Sequence, residues 1–120
     1  LNYERKESGL YYLDAKIGTG VQPVTHDTVF IYIYGYYLTG SNFYTNFGTT
    51  DTIIFPLNEG YNIKGMNEAI SYMKTGGESK IVVPSYLGYG NTGTYMIPYT
   101  PLLFDVYLVK TKAGLGADGK

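Results

Sequence analysis

Apolar residues alternate with a two-residue period from Thr28 onward. Val29, Ile31 and Ile33 fall on one face and Phe30, Tyr32 and Tyr34 on the other, which predicts a strand with an aliphatic core side and a partly wet aromatic side. Gly35 permits a bend or bulge at its end, and Thr39-Gly40-Ser41-Asn42 reads as a turn. Ile53, Phe55 and Leu57 alternate again, and Pro56, which has no amide hydrogen to donate, assigns that strand to a sheet edge. Shorter strands are predicted over residues 10–15 and around Ile81 and Val83, the second ended by Pro84. The closing strand sets Leu102, Phe104, Val106 and Leu108 against Leu103, Asp105, Tyr107 and Val109. Only over residues 63–74 does the period become helical, with Met66, Ala69, Ile70 and Met73 on one stripe. Gly76 and Gly77 are expected to stop this helix and Lys74 to sit at the negative end of its dipole. Several strands and one late helix define an α+β domain with the helix packed on one face of an antiparallel sheet.

Composition narrows the function. At 120 residues the chain is the size of one domain, and no internal repeat is present. Residues 1–8 are polar and charged and read as a leader or tether, residues 9–112 as the domain, and residues 113–120 as a flexible Gly-rich tail. Nine Lys plus Arg against ten Asp plus Glu leave a net charge of -1 without a basic run, so nucleic acid is not an expected partner. The absence of Cys removes disulfides, thiolate metal sites and cysteine nucleophiles. His26 stands alone beside Asp27 and reads as a turn or strand-cap residue, so no metal is expected. No apolar run reaches the roughly 20 residues that span a bilayer as a helix. Neither a phosphate-loop spacing nor a GxSxG elbow occurs. The 15 Tyr favour sheet, because a phenol packs its ring while its hydroxyl reaches water.

Tyr34-Gly35, Gly40 to Phe43, Ile63-Lys64-Gly65-Met66, Met73 with Gly76, Tyr89-Gly90, Ile97-Pro98 and Leu103-Phe104-Asp105-Val106 follow one another in an order and spacing that resembles the FKBP family of prolyl isomerases. The resemblance runs from about Gly9 to Lys110. It implies a half-barrel sheet wrapped around one short helix, with an apolar pocket between them and no cofactor. Carried over by position, it implies Phe43, Ile97 and Phe104 as walls, Ile63 as the residue whose backbone N–H is offered to a substrate carbonyl, and Tyr89 as a hydroxyl donor at the mouth. Of these, Tyr89, Ile63 and Phe104 are the expected catalytic group. Ile33, Phe43, Tyr44, Ile53, Met66 and Ile97 are the expected substrate-binding group.

Several of these positions depart from the family pattern. Ile33 replaces a Tyr, Tyr44 replaces the pocket Asp, Met66 replaces a Trp floor, Ile53 replaces an aromatic, and Asn62 replaces the aliphatic residue before Ile63. The loop over residues 91–96 is shorter, and Tyr99 follows Pro98 where the family pairs prolines. Tyr44 either fills the pocket or swings outward as a second hydroxyl donor; the sequence leaves both open. The expected activity is therefore weak or selective prolyl isomerisation on proline-containing polypeptides, by a monomer. A catalytically impaired FKBP-fold chaperone or binding module is the first alternative. A contact surface made of Phe30, Tyr32, Tyr34 and Tyr36 is the second. The charged leader and the start at Leu1 suit an extracytoplasmic domain released from a signal sequence or lipid anchor, as in FKBP-like lipoproteins of Gram-negative bacteria.

Overall fold

The computed structural model describes residues 3–46, 51–88 and 101–114. The strands are β1 (Glu4–Arg5), β2 (Tyr11–Lys16), β3 (Thr28–Tyr36), β4 (Asn42–Thr45), β5 (Ile53–Pro56), β6 (Glu78–Val83) and β7 (Leu102–Lys112), and the helix α1 is Lys64–Ser71. These seven strands form one sheet in the order β1-β2-β6-β7-β3-β4, with β5 also paired to β3, and every pairing is antiparallel. β3 and β7, the two strands with the strictest alternation, lie side by side at the centre.

The alternation decides which face is buried. Val29, Ile31 and Ile33 of β3, Ile81 and Val83 of β6, and Leu102, Phe104, Val106 and Leu108 of β7 make one buried layer. Met66, Ala69, Ile70 and Met73 cover it from the helix side. Gly65 brings the helix close to β6, since a Cβ there would lie 2.7 Å from a Val83 methyl. Pro56 is at an edge as expected, because among the described residues β5 pairs only with β3.

The opposite face is the tyrosine face, and its side chains satisfy one another. Tyr32 stacks on Tyr107 at 6.3 Å, Tyr34 meets Tyr36 edge-on at 5.6 Å, and Lys110 lies over Phe30. Tyr36 Oη donates to Asp105, which also pairs with Lys80 at 3.0 Å.

Three expectations are corrected. The helix is shorter than residues 63–74: after Ser71 the Tyr72 and Met73 amides bond three residues back, and the next donors leave the helix, Thr75 N–H to Val21 O and Gly76 N–H to Leu108 O. Lys74 consequently lies beyond the last helical turn rather than in it. Residues 1–8 are not simply a tether. Glu4 and Arg5 pair with Tyr12 and Tyr11, Lys6 lies over the Tyr12 and Tyr72 rings, and Ser8 Oγ donates to Glu68 Oε1 at 2.6 Å. At the other end Gly114 N–H donates to Asp27 Oδ1, so the first part of the Gly-rich tail is held against the body. His26 adopts a left-handed turn conformation, φ 77°, with Nδ1 2.8 Å from Glu59.

The tyrosines make an alkaline prediction. Tyr12 is buried and donates to Asp14 Oδ1 at 2.6 Å, and burial together with that carboxylate raises its phenol far above the ordinary 10.0. Burial and the Glu68 carboxylate push Tyr72 up to about 12. A folded-state value above the unfolded one means that the unfolded chain ionises first, so stability is full below about pH 10 and falls as pH rises beyond it. Urea midpoints between pH 8 and 11.5 are expected to decline, with Tyr12 contributing a slope of up to about 1.4 kcal/mol per pH unit. Tyr12→Phe should flatten that decline; an unchanged slope would refute the assignment.

Candidate functional site

The buried face of the sheet packs against α1, and most of the expected site residues lie in or against this shared core. Phe104 and Ile33 project from β7 and β3, 3% and 7% exposed, and Met66 lies fully buried on the helix. Phe43, Ile53 and Ile63 are half-buried and pack against that core. The Phe43 ring meets Phe104 edge-on at 5.6 Å and tilts against Tyr37 at 5.0 Å. Six of the nine expected residues thus belong to the hydrophobic core of the domain or pack against it; Tyr89 and Ile97 lie outside the described residues.

Tyr44 is the remaining one. The β3–β4 register shifts between Gly35 and Tyr36, so Phe43 is an extra residue in β4 and Tyr44 stands opposite Gly35. Directly opposed residues share a face, and a Cβ on Gly35 would point at the Phe43 and Phe104 rings, 2.6 and 3.1 Å away. The bulge therefore lets two consecutive aromatics address the same side: Phe43 packs inward, and Tyr44 stands at the rim, 44% exposed. Tyr44 does not fill the cluster.

Tyr37 and Leu87 belong to the cluster as well and were not singled out from the sequence. Tyr37 had a signal, since it continues the odd-numbered phase of Val29, Ile31 and Ile33. Leu87 had none: it ends a short 3-10 turn after β6.

Two buried asparagines, also unforeseen, hold the frame of the site. β4 and β5 share one edge of β3, and neither covers Ile33. Asn46 fills that gap: its Oδ1 accepts Ile33 N–H at 2.7 Å, its Nδ2 donates to Ile31 O and Asp51 O, and its own N–H donates to Ile33 O. Asn67, on the helix, clamps the preceding loop. Its Oδ1 accepts Asn58 N–H at 2.7 Å and its Nδ2 donates to Asn62 O and Ile63 O.

Ile63 precedes the helix in an extended conformation, and no side-chain cap engages the first turn. Its N–H donates to Asn62 Oδ1 at 2.8 Å. The donor that the resemblance offers to a substrate is therefore engaged by a neighbouring side chain. Among the described residues no group of acidic or histidine side chains is arranged to hold a metal ion.

A mostly antiparallel sheet packed against one short helix defines a class of protein, and comparison with known proteins agrees. The family model described as FKBP-type peptidyl-prolyl cis-trans isomerase matches residues 20–109. The chain belongs to the FKBP-type peptidyl-prolyl cis-trans isomerase family. It is 36% identical over 104 residues to the FKBP-type peptidyl-prolyl cis-trans isomerase FkpA of Aeromonas hydrophila, covering 86% of this chain and 38% of that protein. It is 31% identical over 104 residues to an FK506-binding protein of Neisseria meningitidis, covering 85% of this chain and 95% of that protein. The crystal structure of FkpA from Escherichia coli superposes with a TM-score of 0.85 at 30% identity, over 92% of this chain and 52% of that one. The chain thus spans about two-fifths of the length of the FkpA proteins it matches in sequence.

Proposed function

We propose that this domain is a weak or selective peptidyl-prolyl cis-trans isomerase acting on exposed X-Pro segments of extracytoplasmic polypeptides. The observation that carries the proposal is the run of aromatic contacts from Tyr37 through Phe43 to Phe104, with Ile53 and Ile63 packed against the same apolar core. Prolyl isomerisation breaks no covalent bond. Its barrier is lost amide resonance, about 18–20 kcal/mol for a peptide bond, and a catalyst need only bind the twisted amide better than either planar form. The twisted amide is less dipolar, so an apolar wall favours it, while an N–H or O–H donor fixes the carbonyl. Phe43, Phe104 and Ile97 are the walls for the prolyl ring in this reading, and Tyr89 Oη and Ile63 N–H are the donors. No acid, base or metal takes part, so the replacement of the family's Asp by Tyr44 removes no proton carrier. Met66 gives an adaptable floor where Trp would give a fixed one, which supports low rather than absent activity.

Exchange NMR on a proline-containing model peptide tests this. The wild-type domain should accelerate cis-trans exchange. Phe43→Ala, which deletes a half-buried wall, should lower kcat/KM by about 10- to 100-fold, and Tyr89→Phe should lower it as well. No acceleration at high protein concentration would overturn the isomerase reading. The engaged Ile63 N–H favours one other reading, a binding module without catalysis; peptide binding without acceleration would support it. The extracytoplasmic placement is checked by fractionating source cells, where a purely cytoplasmic pool would refute it.

A further inference from the structure

Asn62 sits where the isomerase reading needs an open donor, and the inference drawn here rests on that reading. The contact between Ile63 N–H and Asn62 Oδ1, at 2.8 Å, places one of the chain's own acceptors where a substrate carbonyl would have to bind. Its polarity is fixed: an amide hydrogen can be accepted only by the carboxamide oxygen, so Asn62 Nδ2 points away from Ile63. The main chain does not depend on this side chain. Asn67 Nδ2 bonds to both Asn62 O and Ile63 O, and the Asn67 N–H bonds to Ile63 O as well. Asn62 is not among the residues with left-handed backbone, so other side chains fit there without strain. A surface hollow lined by Gly60, Tyr61, Asn62 and Ile63 gives the carboxamide room to rotate away.

We propose that Asn62 determines how readily this site accepts substrate: its carboxamide competes internally for the Ile63 N–H and must be displaced before a prolyl peptide can engage that donor. An apolar residue at position 62 leaves the N–H open at all times. The carboxamide imposes the loss of one neutral hydrogen bond on every binding event, a penalty of about fivefold in affinity. Because that bond is lost equally in the bound ground state and the transition state, the penalty falls on KM and leaves kcat unchanged.

The test compares wild type with Asn62→Leu and Asn62→Asp, using ¹⁵N-resolved titration with a proline-containing tetrapeptide and exchange NMR for the rates. Asn62→Leu should bind the peptide about fivefold tighter, with a lower KM, the same kcat, and an Ile63 amide resonance moved upfield in the free protein. Asn62→Asp places a charged acceptor on the same N–H. It should bind more weakly than wild type at pH 7 and recover as the carboxylate is protonated. Equal or weaker binding by Asn62→Leu, with wild-type isomerase activity present, overturns this proposal alone. Failure of all three proteins to bind or accelerate the peptide overturns the isomerase reading and this proposal together.

Discussion

Gly18→Ala is expected to remove about 3 kcal/mol or more of folding stability, a large part of the roughly 5–15 kcal/mol that holds a domain folded. A Cβ at position 18 would lie 2.4 Å from both Lys74 O and Thr75 O and 2.6 Å from Gly77 N. All three are backbone atoms, so no side chain can rotate aside. The backbone there is fixed from several directions: Gly20 N–H donates to Thr75 O, Thr75 N–H to Val21 O, and Gly76 N–H to Leu108 O. These bonds join the loop before β3, the exit of the helix and the middle of β7, and the intruding methyl would part all of them. Gly60→Ala is the control. Gly60 has φ 84° with no atom of the described residues within 4 Å of its Cβ position, so alanine is expected to meet local strain of about 1 kcal/mol. Urea denaturation should give a far lower midpoint for Gly18→Ala at unchanged slope. Equal losses in the two variants would show that backbone crowding at Gly18 has been overestimated.

Asn46→Ala is the second large effect, expected to cost about 2–4 kcal/mol. Asn46 is 5% exposed and its side chain makes the contacts that a continuous strand would have made to β3. Alanine would leave the Ile33 N–H without its acceptor and Ile31 O and Asp51 O without this donor, in a place water reaches poorly. Asn46→Asp is more diagnostic. It keeps an acceptor for Ile33 N–H but sets a carboxylate oxygen against two carbonyl oxygens, so it should be at least as damaging at pH 7 and recover partly in acid. A loss below about 0.5 kcal/mol in both variants would sink the argument. Because Phe43 lies on β4 and Ile53 on β5, the seam that Asn46 closes also sets the spacing of two residues that the proposed function places at the site. Isomerase activity is therefore expected to fall in Asn46→Ala even where the protein remains folded.

The departures from the family pattern weigh differently once placed in the fold. Replacing Trp by Met66 changes a buried floor, and Ile33 remains in the core layer, so both act on shape rather than on polar chemistry. Tyr44 is half-exposed and leaves the contact between the Phe43 and Phe104 rings intact. Asn62 is the substitution that touches a proposed donor directly.

The sequence by itself determined everything that rests on a short repeat. The period of two in β3 and β7 assigned their buried and aromatic faces, and the period of 3.6 found α1, because the side-chain direction of a regular element follows from backbone geometry alone. The order of short motifs was enough to point to the family. What needed the tertiary structure were contacts between segments far apart in the chain. The helix ends at Ser71 because Val21 and Leu108 take the next backbone donors, which no local glycine signal reveals. Ser8 finds Glu68, sixty residues away, and so part of a segment that is polar throughout is drawn onto the helix. Asn46 and Asn67 carry no sequence signal for burial, yet each is buried, since each satisfies backbone groups that the ends of other elements leave open. The bulge at Phe43 put Tyr44 at the rim. A one-residue shift of register reverses the face of every following side chain, and only pairing with β3 decides where that shift falls.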